Sequence, residues 1–135
     1  MGLDNGIIIR VAPEKIPEII KAYIQKLQYG NGDEYELCYW RKCWGIRNDI
    51  IDILSHHTDD IDSTYEFKIV YTDVQEIIDT LVNYLDKEYW NENADSIWDY
   101  DEMRIPLVYN IFILGWLRDY LKENPDTEVY FYDSY

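Results

Sequence analysis

Six apolar residues, Val74, Ile77, Ile78, Leu81, Val82 and Leu85, recur at steps of three and four and so share one side of an α-helix. A stripe of that width has to be buried against something, so the chain must supply a second layer. The other segments supply it. Asp4-Asn5-Gly6 is a turn signal, and the β-branched run Ile7-Ile8-Ile9-Arg10-Val11 after it reads as a strand. Glu34 to Tyr39 reads as a second short strand. Tyr65 to Tyr71 reads as a third, with Tyr65, Phe67, Ile69 and Tyr71 on one face, and Glu128 to Tyr132 alternates as a last one.

Helices fill the intervals. Ile16, Ile19, Ile20, Tyr23, Ile24 and Leu27 form another stripe, with Pro13 in its first turn. Arg41 to Ser55 carries helical spacing, and Thr72-Asp73-Val74-Gln75 matches a capping box at the head of the 74–85 helix. The acidic run between Asn91 and Met103 predicts a short helix or ordered loop. Pro106 then opens a final helix to Glu123, apolar on most sides and therefore expected at the centre. The order is β-α-β-α-β-α-α-β. It predicts a single α+β domain over residues 1–135, with a three- to four-stranded mixed sheet packed against helices. Tyr65, Tyr71, Tyr130 and Tyr132 are expected to meet on that sheet, where a tyrosine-rich face offers a route to a homodimer.

Charge narrows the function. The formal net charge is -15, which opposes direct binding to nucleic acid or to an anionic membrane. Residues 1–48 hold seven Lys/Arg and six Asp/Glu (net +1), whereas residues 49–135 hold five and twenty-one (net -16). The excess therefore lies in the later part of the chain. The plain reading is solubility; the sharper one is a surface meant for a basic partner. With 14 Tyr and 5 Trp against 3 Phe, the aromatic set favours rings that keep one polar tip in water, as interfaces do. The N-terminus has no basic region followed by an apolar run, and Leu107 to Leu117 is about half a bilayer span, so a soluble cytoplasmic protein is expected.

Four constellations bear on chemistry. Cys38, Cys43, His56 and His57 have zinc-type atoms, but four residues separate the thiols and adjacent histidines point apart, so buried thiols are the simpler reading. Arg41 and Lys42 beside Cys43 would acidify a nucleophile, yet no oxyanion hole or orienting partner marks one. Trp40, Arg41, Trp44 and Arg47 can grip a phosphate with aromatic stacking, making a small-ligand (nucleotide-like) pocket at the strand–helix junction; internal pairing with this protein's own acids competes with it. The acids Asp59, Asp60, Asp62, Asp95, Asp99, Asp101 and Glu102 show no EF-hand spacing and read as solvated loops, with Trp98 and Tyr100 among the latter set. No P-loop, Gly-x-Gly-x-x-Gly, Gly-x-Ser-x-Gly or His-Glu-x-x-His is present, and no cofactor or metal is implied.

The opening Met1-Gly2-Leu3-Asp4-Asn5-Gly6, the block Cys38-Tyr39-Trp40-Arg41-Lys42-Cys43-Trp44 and the ending Val129-Tyr130-Phe131-Tyr132-Asp133-Ser134-Tyr135 resemble a group of small uncharacterised proteins of phages and prophages. The resemblance covers about a fifth of the chain and brings no catalytic residues. It implies a setting, the cytoplasm of an infected bacterium, where small acidic phage proteins often inhibit host nucleases or defence complexes by presenting carboxylates in place of a nucleic acid. The expectation is a non-enzymatic binder of a basic, nucleic-acid-handling host protein. Asp95, Trp98, Asp99, Tyr100, Asp101 and Glu102 would make the contact first, and Asp59, Asp60 and Asp62 second.

Overall fold

The computed structural model describes residues 3–27, 33–55 and 66–134. In chain order these form β1 (Asp4–Arg10), a 3₁₀ turn (Pro13–Lys15), α1 (Glu18–Lys21), β2 (Gln25–Leu27), β3 (Glu34–Arg41), α2 (Trp44–Leu54), β4 (Glu66–Lys68), α3 (Tyr71–Tyr84), α4 (Lys87–Asn93), α5 (Tyr100–Glu123) and β5 (Glu128–Ser134). The α+β class holds. The sheet, however, has five strands in the order β2-β3-β1-β5-β4, and every pairing is antiparallel, not mixed. The two chain ends meet as adjacent strands at its centre, with Ile7 opposite Phe131 and Ile9 opposite Val129.

The long first helix does not form, and Pro17 is the reason. A proline has no N–H for the helical ladder and pushes the residue before it into extended backbone. Ile16 accordingly sits at φ -103°, ψ 123°, and only one turn of helix follows Pro17. Ile16 and Ile20 still reach the core, but Ile19 and Tyr23 are left 62% and 48% exposed. The end of the expected helix becomes β2, a short strand recruited by the edge of β3.

Of the α3 stripe, Val74, Ile77, Ile78 and Leu81 are buried and Leu85 is partly buried, whereas Val82 is 48% exposed. Each such side chain contributes about 1.5–3 kcal/mol when fully removed from water. Its start differs from the expected Thr72–Gln75 box: the helix begins at Tyr71, and the Asp73 carboxylate accepts the Val70 N–H at 2.9 Å. Among the described residues the strand before it covers Glu66–Lys68 and Tyr71 is helical, while Tyr65 lies outside the described residues. α5 starts six residues before Pro106, because Asp99 and Glu102 cap each other's backbone N–H groups at 2.9 and 3.1 Å. Pro106 lies exposed inside the helix, where water can replace the donor it lacks.

The two sheet faces differ. One presents Asn5, Ile7, Ile9, Tyr35, Cys38, Trp40, Val129 and Phe131 to the core shared with α2, α3 and α5. The other presents Gly6, Ile8, Arg10, Glu36, Tyr39, Tyr130 and Tyr132. Tyr132 lies across Gly6, where an added Cβ would stand 2.5 Å from the ring, and its hydroxyl donates to Glu36 at 2.7 Å. Tyr130 and Tyr132 thus share a face with Tyr39, while Tyr71 belongs to α3.

Candidate functional site

The strand–helix junction and the acidic segment, two separate stretches of sequence, are neighbours in space. Residues 94–98 lie against the turn from β3 into α2. Cys43 and Ser96 form an isolated β-bridge, Gly45 N–H donates to the Ala94 carbonyl at 2.8 Å, and the Trp98 indole N–H donates to the Arg41 carbonyl at 2.8 Å. Gly45 makes the approach possible, since a Cβ there would fall 2.1 Å from the Asn93 carbonyl oxygen. The two described non-glycine residues with positive φ, Lys42 (54°) and Asp95 (45°), sit one on each side of this contact.

At the junction Arg47 and Asn5 both bond to Asp133, while Asn5 Oδ1 and the Trp40 indole N–H are buried without a partner among the described residues. Arg47 donates to Asp133 from Nε and from Nη2 (2.8 Å), and to Asn48 Oδ1 from Nη1. Asn5 Nδ2 donates to the same Asp133 at 2.6 Å, completing a buried network. Trp40 is only 1% exposed. Of the four residues expected to grip a ligand, Arg41 and Trp44 face solvent, the Arg47 guanidinium lies over the Trp44 ring at 5.8 Å while engaged by Asp133, and Trp40 is buried. Both cysteines are buried, and burial pushes both thiols above their ordinary range, Cys38 strongly; a hydrogen bond to Ser96 partly opposes this at Cys43. Buried, unactivated thiols make poor nucleophiles. His56 and His57 lie outside the described residues, among which no three His, Cys, Asp or Glu converge to hold a metal.

The acidic segment has a different character. Residues 86–102 contain seven carboxylates (Asp86, Glu88, Glu92, Asp95, Asp99, Asp101 and Glu102) against one lysine, Lys87, and all eight are exposed. Among the described residues none of the seven takes part in an ion pair. Asp86, Asp99 and Glu102 cap helices, a role that uses one oxygen and leaves the charge. Ile97 (63% exposed) and Trp98 (36%) protrude among them. Tyr100 is structural: half-buried, it donates its hydroxyl to the Leu85 carbonyl at 2.6 Å. Asp59, Asp60 and Asp62 lie outside the described residues. The sequence places Glu92 in the acidic run without assigning it a contact, and leaves out Asp86, Glu88 and Ile97, although Glu88 and Glu92 at one-turn spacing are a readable pair.

No protein-family model, curated protein or solved structure matches the chain.

Elsewhere, a cleft of about 380 Å³ opens between the chain at Ala22–Gln25, β3 at Glu36–Tyr39, and Asn110 of α5. Asn110 stands on the buried line Leu107, Ile113, Leu114, Leu117, Leu121, where an aliphatic residue would pack. Its Nδ2 is buried without an acceptor among the described residues, a state that costs about 1–3 kcal/mol. Burial also pushes the Glu36 carboxyl upward, opposed by its bond from Tyr132 and reinforced by Asp4. Among the described residues no helix is long and apolar enough to cross a membrane.

Proposed function

We propose that this chain is a non-enzymatic binding protein that uses the acidic ridge of residues 86–102 to occupy a basic surface on another protein, of the kind that handles nucleic acid. The reading rests on the ridge itself: seven exposed carboxylates, one lysine, no ion pair to these acids among the described residues, and Ile97 and Trp98 standing among them. The chain cannot neutralise itself, because 27 acids exceed 12 bases and at least fifteen carboxylates lack a basic partner even if every Lys and Arg took one. Carboxylates accelerate encounter with a basic groove, and apolar or aromatic anchors supply contact energy at its centre. A partner evolved for phosphates presents Arg and Lys at such a surface.

The test is capture from bacterial lysate with the immobilised protein at low and moderate salt, beside the variant E88Q/E92Q/D95N/D101N. A basic protein held by the wild type, released by salt and lost in the variant is the expected result. Capture that is indifferent to both salt and neutralisation would falsify the electrostatic reading.

A further inference from the structure

Helix α5 is apolar on two faces, and the fold covers one of them. Leu107, Ile113, Leu114, Leu117 and Leu121 point into the core. Ile105, Val108, Tyr109 and Phe112, at offsets 0, 3, 4 and 7, form a second stripe that stays on the surface. Tyr23 extends it: its ring stacks on Tyr109 with centroids 4.8 Å apart and meets Phe112 edge-on at 6.2 Å. These five side chains are 44–49% exposed. Half-exposed side chains of this size each leave on the order of 100 Å² in water, so the patch amounts to roughly 500 Å². That is near the top of what a monomer leaves contiguous, about 300–600 Å². No Asp, Glu, Lys or Arg interrupts the chain from Ile105 to Leu117, although its net charge is -15.

The charges at the two ends of the stripe identify its occupant. Asp101 and Arg104 precede it, Asp119 and Lys122 follow it, and all four are exposed. Residues 101 and 122 are equidistant from the point between Ile111 and Phe112, and so are residues 104 and 119. A two-fold axis at that point, with α5 running antiparallel to itself, sets Asp101 opposite Lys122 of the second copy and Arg104 opposite Asp119 of the second copy. The same register brings Val108 over Gly115, where an added Cβ would meet nothing within 4 Å, so the two backbones can approach. We propose that this face of α5 is the interface of a two-fold symmetric homodimer. The patch and its charged rim together approach the roughly 800 Å² per partner of a standard interface. Of the four rim charges only Asp101 belongs to the acidic ridge, so the dimer does not depend on what the ridge binds.

The test is sedimentation of the full chain from about 1 to 500 µM in about 0.15 M salt, where the Debye length of about 8 Å screens the repulsion between distant acids. A monomer–dimer equilibrium with Kd at or below about 100 µM is expected. Phe112→Glu sets a charge beside its own copy at the axis and should weaken the dimer about a hundredfold or more, with the far-UV spectrum of the dilute wild-type chain retained. Arg104→Glu and Asp119→Arg, both at exposed positions, should each weaken it about threefold or more. The double variant, whose net charge is again -15, should restore it. A chain that stays monomeric to about 500 µM, or a dimer that Phe112→Glu leaves intact, overturns the proposal. A double variant no tighter than the single ones overturns the antiparallel register.

Discussion

Asp133 and the carboxylates of the 86–102 ridge are the same kind of group in opposite circumstances. Asp133 is buried, held by Arg47 and Asn5, and joins the end of β5 to α2. The ridge acids are exposed and face no basic partner among the described residues. A buried ion has lost its water and depends on its partner, whereas an exposed one keeps its hydration and projects its field outward. The first kind of charge organises the fold; the second is free for another molecule. Formal charge alone does not separate them, and the geometry of the partners does.

The sharpest way to break this contrast is to remove one member of the buried pair. Arg47→Ala leaves Asp133 at its 7% exposed site with only Asn5 and should cost about 3–5 kcal/mol in urea unfolding. Replacing both members, as in Arg47→Met with Asp133→Leu, should return a large part of that loss, because the penalty comes from an uncompensated buried charge. A single variant that unfolds no more easily than wild type would place Asp133 with the ridge acids.

The ridge should respond in the opposite sense. Neutralising Glu88, Glu92, Asp95 and Asp101 is expected to change stability by no more than about 0.5 kcal/mol each, with relief of self-repulsion favouring a gain. Association with the captured partner should slow by about tenfold or more and lose most of its salt dependence, while Trp98→Ala should act mainly by speeding dissociation. Stopped-flow binding at two salt concentrations separates these effects. Should the neutralised variant be strongly destabilised, the ridge would be structural in the way Asp133 is.

How much of this is legible in the sequence follows from the range of each interaction. The α3 stripe and the β1 run are local patterns, and they formed where their spacing put them. Pro17 was equally visible, and its cost to a helix outweighs the favourable spacing of Ile16 to Leu27. β2 could not be read from Gln25-Lys26-Leu27, because that strand exists only through pairing with β3, and the antiparallel order of the sheet likewise depends on contacts between distant segments. At the candidate site, the acids and Trp98 were readable from composition. Their placement against the β3–α2 turn was not, since it depends on the backbone contacts made through Gly45 and Ser96. Arg47 as the partner of Asp133 was hidden for the same reason: the two are 86 residues apart. Asn110 was visible as an interruption in an apolar helix, but only the fold shows that its amide nitrogen is buried with no acceptor among the described residues.

Between the two extremes stands Asp4, a partly exposed carboxylate engaged by hydrogen bonding alone. It accepts the Tyr39 hydroxyl at 2.6 Å, and this bond is the main reason the phenol is pushed up from 10.0 to about 12, with burial and the Asp4 charge adding to it. The folded chain therefore keeps this proton in a pH range where the unfolded chain has released it. Stability from this pair is present below pH 10 and declines as the pH rises toward about 12. Asp4→Asn should move the Tyr39 transition back toward 10, read as the difference in phenolate absorbance between chains with and without Tyr39→Phe. Because Tyr39 is 47% exposed, the accompanying change in stability should be small. An unmoved transition in Asp4→Asn would mean that Asp4 contributes no more to its neighbour than the solvated ridge acids do to theirs.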